Sequence, residues 1–143
     1  MRTEKVEYFS GAERVRALWH TPDSSGGQAG SPVPAIIQGP GWLGLKDAKV
    51  YDAYHQGLTD AGFGVLSIDY RGFGDSEGER GVVVPAHQLA DLVNGVTYLT
   101  TRDDVMPEAI GAFATGGTGG GNVVLLAAAD PRVRAVVSQM PVA

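Results

Sequence analysis

The sequence predicts the α/β class, a mostly parallel sheet of about six strands with helices on both faces. Two observations carry that prediction. Short apolar runs of strand length, "VPAIIQ", "GVLSIDY", "AIGAFA" and "RVRAVVSQM", alternate along the chain with longer segments whose apolar residues recur at helical spacing. Those runs are nearly continuous in apolar residues, as strands covered on both faces must be, and the joints between them are rich in glycine.

Each element follows in order. "KVEYFS" and "RVRALWH" alternate apolar and polar residues around Gly11 and read as a hairpin exposed on one face. "TPDSSGGQAGSP" is a surface loop, and "VPAIIQ" is a buried strand. Residues 47–61 form a helix, with Val50, Tyr54, Leu58 and Ala61 on its inner face. After the strand "GVLSIDY" comes the turn-rich "RGFGDSEGERG". A helix over residues 86–101 carries the inner stripe Leu89, Leu92, Val93, Val96 and Leu99. "AIGAFA" is a strand, residues 122–129 a helix apolar all round, and "RVRAVVSQM" a final outer strand.

With 143 residues, 43% of them hydrophobic, the chain has the size of one domain. A net charge of −5 without any Lys/Arg cluster argues against nucleic acid or an anionic membrane surface as partner, and favours a small-molecule substrate. The absence of cysteine excludes disulfides, Cys-ligated zinc and a thiol nucleophile. "MRTEKVEYFS" lacks an apolar signal core, so a soluble, cytoplasmic protein is expected.

The residues at the joints carry a resemblance. "PAIIQGPGWLGLKD", "LTDAGFGVLSIDYRGFGDSEGE" and "GGTGGGNVVLLAAADPRVRAVVSQMP" together resemble the N-terminal portion of α/β-hydrolase enzymes, near the dienelactone hydrolase and X-Pro dipeptidyl-peptidase branch. The likeness covers nearly all of residues 1–143 and implies an incomplete α/β-hydrolase fold. It also implies hydrolysis of ester, amide or related acyl bonds by Ser, His and Asp, without a cofactor or metal.

The sequence departs from that pattern in two places. Where the family has G-x-S-x-G, residues 116–120 read Gly-Gly-Thr-Gly-Gly, which puts Thr118 in the nucleophile place. Counting back from "DPRV" by the family's usual helix length puts the slot at Gly117, and counting forward from "IG" puts it at Gly116. Thr118 is a nucleophile if a base takes its proton, although its β-branch crowds the turn. A glycine in the slot means a site without a nucleophile, or a glycine standing where a serine was removed. The knot is no dinucleotide fingerprint, because G-x-G-x-x-G from Gly117 fails at Asn122, and no Gly-Lys-Ser/Thr completes a Walker A loop.

The resemblance places one oxyanion donor in "QGPGWLG", at the Trp42 N–H with Leu43 as second choice, and pairs it with the N–H of Gly119. If Gly117 is the slot, Thr118 supplies the second amide. The second departure is at the end, where "VVSQMPVA" stops short of the strands that carry the family's Asp and His. His20, His55 and His87 read as structural or solvated, and Asp69, Asp75 and Glu77 as members of the turn, pairing with Arg71 or capping N–H groups. The expectation is a second polypeptide that supplies the remaining strands, the acid and the histidine.

Overall fold

The computed structural model describes residues 1–23, 31–42 and 45–140. The N-terminal hairpin is β1 (Arg2–Ser10) and β2 (Glu13–Thr21), turning at Gly11 with φ 66°. There follow β3 (Val33–Gly39), a 3₁₀ turn (Lys49–Tyr51) running into α1 (Asp52–Asp60), and β4 (Gly64–Ile68). The rest is α2 (Pro85–Thr100), β5 (Val105–Thr115), α3 (Gly117–Ala129) and β6 (Val133–Gln139). The sheet has six strands in the order β1-β2-β4-β3-β5-β6, with β4, β3, β5 and β6 parallel and the hairpin antiparallel at one edge. The predicted class holds. No helix among the described residues is long and apolar enough to cross a membrane.

Strand alternation assigns the helices to faces. Ile37 packs under α2 so closely that a β-carbon on Gly95 would lie 2.5 Å from its Cδ1, whereas the next residue, Gln38, meets His55 of α1 on the opposite face. The α2/α3 face holds the apolar core, in which Ile37, Leu66, Leu92, Val96, Val123 and Leu126 are fully buried. The expected stripe of α2 is buried at Leu92, Val96 and Leu99 and half-buried at Leu89 and Val93. Asp91 joins it, receiving the Arg71 backbone N–H at 2.9 Å and its Nε at 2.8 Å.

Two elements differ from the sequence-based expectation. The inner face of α1 and its 3₁₀ entry is Tyr51, His55 and Thr59, while Val50 is 68% exposed and Tyr54 and Ala61 also face outward. The sheet beneath is the reason: it presents Gln38 and His20, so the helix turns its polar stripe inward. His20 and His55 stack with ring centroids 4.4 Å apart, and His55 also bonds Gln38. The second difference is α3, which begins at Gly117 instead of near residue 122 and leaves Val124 and Leu125 half exposed. Its glycines are poor helix formers, held by contacts described below.

His20 shares a hydrogen bond with Thr3 at Nδ1, 2.9 Å, while its Nε2 is buried without a partner among the described residues. Burial, and then the neighbouring His55, push its pKa from the ordinary 6.5 down to about 4, and burial lowers His55 as well. The folded state therefore holds a neutral ring where the unfolded chain takes up a proton, so stability falls with pH between about 6.5 and about 4. Melting temperatures across that window should drop toward acid, and His20→Leu should flatten the slope. An unchanged slope in the variant would assign the titration to another group.

Candidate active site

β5 ends at Thr115 and α3 begins at Gly117, so Gly116 alone turns the chain from strand to helix. It does so at φ 76° and ψ 169°, a conformation natural to glycine and strained for other residues. Its N–H donates to the Gln139 carbonyl of β6 at 3.0 Å, and its carbonyl accepts the N–H of Gly120 at 2.8 Å. The amides of Gly117, Thr118 and Gly119 lie ahead of that first helical bond, at the positive end of the helix dipole.

The loop leaving β3 rests on this turn because β3 and β5 are neighbours, paired as far as Gly39 with Ala114. A β-carbon on Gly41 would lie 2.7 Å from the Thr115 carbonyl oxygen, and one on Gly119 would lie 2.7 Å from that of Pro40. Backbone meets backbone at both points, which is why glycine occupies both. The N–H of Gly41 donates to the phenol oxygen of buried Tyr51 at 2.9 Å.

A cleft opens between loop and helix, lined by Gly41, Trp42, Tyr70, Phe73, Val83, Gln88 and Thr118. Beside it, Asn122 donates through Nδ2 to Gln88 Oε1 at 2.8 Å and to the Tyr70 hydroxyl at 3.2 Å, all three residues being buried. Burial raises the Tyr70 pKa well above the usual phenol range, against a smaller lowering by Asn122, so the ring stays a neutral hydroxyl. The Phe73 wall belongs to the turn after β4, which is built around the Asp69 carboxylate. That group receives the Lys46 N–H at 2.7 Å, Lys46 Nζ at 2.6 Å and the Asp75 N–H at 3.0 Å. Burial lowers the Lys46 pKa, but its bonds to Asp69 and Asp75 outweigh this and raise it, while Lys46 in turn pulls Asp75 down. Among the described residues no three His, Asp or Glu side chains converge in a way that could hold a metal.

Residues 44–142 match the family model described as serine aminopeptidase, S33. The chain belongs to this α/β-hydrolase family. The chain is similar to the uncharacterized 31.7 kDa protein in the traX-finO intergenic region of Escherichia coli, 37% identical over 107 residues, which are 75% of this chain and 37% of that protein. It is also similar to the quorum-quenching protein AidA of Acinetobacter baumannii, 34% identical over 109 residues, 76% of this chain and 35% of AidA. Among solved structures, the alpha/beta hydrolase GrgF from Penicillium sp. sh18 superimposes with a TM-score of 0.87 at 26% identity, over 99% of this chain and 46% of GrgF. The chain thus spans 37% and 35% of the length of these two relatives.

The structure brings Thr118 and Trp42, with Gly41, to one cleft. Thr118 sits in the first turn of α3, Gly117 is that helix's first residue, and Gly119 is buried against the Pro40 carbonyl. Trp42 is 75% exposed, so its ring forms an outer rim of the cleft. Leu43 lies outside the described residues. His20 and His55 are buried on the opposite, α1 face, and His87 is exposed at the start of α2. The turn's acids are committed to structure: Asp69 accepts the backbone N–H groups of Lys46 and Asp75, as a cap would, while the ion pairs of Asp69 and Asp75 are with Lys46 instead of Arg71, which pairs with Asp91 and Glu13. Glu77 accepts the Arg14 N–H at 2.9 Å, as a cap would. The sequence reading missed Tyr51, Tyr70, Gln88 and Asn122. For Asn122 a signal existed, since it is the polar residue inside the otherwise apolar "NVVLLAAA".

The glycine contacts predict a contrast. Gly119→Ala drives a methyl into the Pro40 carbonyl and should destabilise by about 1–3 kcal/mol. Gly57→Ala, in α1 with no atom outside the local helix backbone within 4 Å of the new methyl among the described residues, should stabilise by roughly 0.5–1 kcal/mol. Thermal denaturation of both variants compares them directly.

Proposed function

We propose that the chain is the elbow and oxyanion portion of a hydrolase acting without a cofactor on an ester, amide or other acyl bond of a small molecule, completed by an Asp and a His carried on a second polypeptide. The observation behind this reading is the conjunction at Gly116: a left-handed strand-to-helix turn, clamped against the β3 loop, with the foremost α3 amides beside it. In this reading the developing oxyanion takes the Trp42 N–H and an amide of the first α3 turn, Gly117 or Gly119, the two donors of an oxyanion hole. Thr118 is the hydroxyl on the cleft wall, and Gly116 marks the apex at which a serine would stand. One relative, the thiohydrolase aneE of Aspergillus aculeatus, bears a name that accords with acyl-bond chemistry.

One observation favours a second reading. The apex residue has no side chain, which suits a noncatalytic subunit whose cleft binds a small molecule or whose β6 edge serves assembly. An acyl or phosphonyl probe separates the two. In the first reading it adds mass to the peptide holding Thr118, and Thr118→Val abolishes the label. If nothing labels, Gly116→Ser should create ester turnover in the assembled protein while Gly117→Ser should not; no turnover from either supports the noncatalytic subunit.

The second polypeptide has its own support. β6 is the outermost strand with its far edge unpaired among the described residues, and Val137 within it is 60% exposed. Such an edge recruits another strand. Expressed alone, the chain should self-associate through residues 135–140, and co-expression with a complementing chain should yield a soluble particle of larger mass. A monodisperse monomer that unfolds cooperatively, seen by light scattering and calorimetry, rejects the partner.

A further inference from the structure

The reading of the Trp42 N–H as an oxyanion donor leaves open what aims it, since the donor sits between glycine and an exposed ring on a loop. Three anchors hold the peptides before it. The Pro40 carbonyl lies against Gly119, the Gly41 Cα lies against the Thr115 carbonyl, and the Gly41 N–H donates to Tyr51 at 2.9 Å. Two of these are contacts of van der Waals type, which stop the loop from approaching further and leave it free to lift or rotate. The hydrogen bond is directional. It fixes the plane of the Pro40–Gly41 peptide, and with the Gly41 Cα seated, the next peptide is left with rotation about the two Gly41 dihedrals alone.

We propose that Tyr51 is a positioning residue for this site, its buried phenol oxygen orienting the Gly41 amide so that the following N–H, that of Trp42, faces the cleft. The assignment rests on the functional reading above for its catalytic consequence, and on geometry alone for the clamp. Tyr51 suits the task because its ring is fixed from below. It is 4% exposed, at the junction of the 3₁₀ turn and α1, with its ring centroid 6.2 Å from that of His55, which is in turn stacked on His20 and bonded to Gln38. The other polar members of that helix face bond to the sheet or to the helix itself, as His55 and Thr59 do. The Tyr51 hydroxyl instead reaches past the end of β3 to the loop. A phenylalanine would fill the same volume, so packing alone does not call for the oxygen.

The test uses Tyr51→Phe in the assembled protein, with and without Gly116→Ser. By hydrogen-exchange NMR, the Gly41 amide should exchange faster by on the order of tenfold in Tyr51→Phe, while the Ile36 and Ile37 amides of β3 keep their rates. In the Gly116→Ser background, ester hydrolysis should lose on the order of tenfold in kcat with KM unchanged, because an oxyanion donor acts in the transition state. An unchanged Gly41 rate overturns the clamp, and faster exchange throughout β3 overturns it as well, by showing that the phenol supports the core. A loss confined to KM overturns the catalytic aim. If Gly116→Ser has no turnover at all, the hydrolase reading fails on its own and the exchange rates still decide the clamp.

Discussion

Two stretches of backbone meet without side chains between them, and the site depends on that contact. The end of β3 and the end of β5 leave the sheet side by side because the strands are paired, so the loop after one and the helix after the other must share the same space. They fit because Gly41 and Gly119 offer hydrogen atoms where any other residue would offer a β-carbon. Close approach brings residues of both segments, Gly41 and Trp42 from the loop and Thr118 from the helix, to one cleft. The surrounding elements then act as supports: α1 from below through Tyr51, α2 and α3 from the side through Gln88 and Asn122, and the Asp69-centred turn through Phe73.

The division of labour is chemical as well as geometric. What the described residues bring to the cleft is largely hydrogen-bond donors and neutral hydroxyls: helix-start amides, the Tyr70 phenol and Thr118. The carboxylates of the neighbouring turn are tied to Lys46, and the buried imidazoles lie on the other face of the sheet. Among the described residues that line the cleft there is neither a carboxylate nor an imidazole.

How much of this could be read from residues alone follows from which signals are local. The strands, the hairpin and the inner stripe of α2 are written in periodicity, and the structure has them close to where the pattern puts them. The face of α1 was not legible, because Val50, Tyr54 and Leu58 make an apolar stripe as regular as the true one, Tyr51, His55 and Thr59. Only the polar patch beneath, assembled from β2 and β3, decides between them. In the glycine knot the elements were readable and the register was not. Five consecutive positions, 116–120, hold four glycines and carry almost no side-chain signature, so the apex is distinguishable only by the positive φ of Gly116. The Tyr70–Gln88–Asn122 group joins three elements distant in sequence, and no local pattern announces it.

The glycine-rich first turn of α3 has a consequence for the order in which the molecule is built. Glycine gives up more backbone entropy on folding than any other residue, so this turn gains little from its own helical bonds and relies on the β3 loop lying against it. The apolar second half of α3 has no such dependence, since Val123 and Leu126 bury themselves in the core. The helix should therefore nucleate at its C-terminal end and grow backwards, and the elbow should close late, after β3 and β5 have paired. In the folded molecule the same inequality ties the stability of the elbow to the seat of the β3 loop against Gly119.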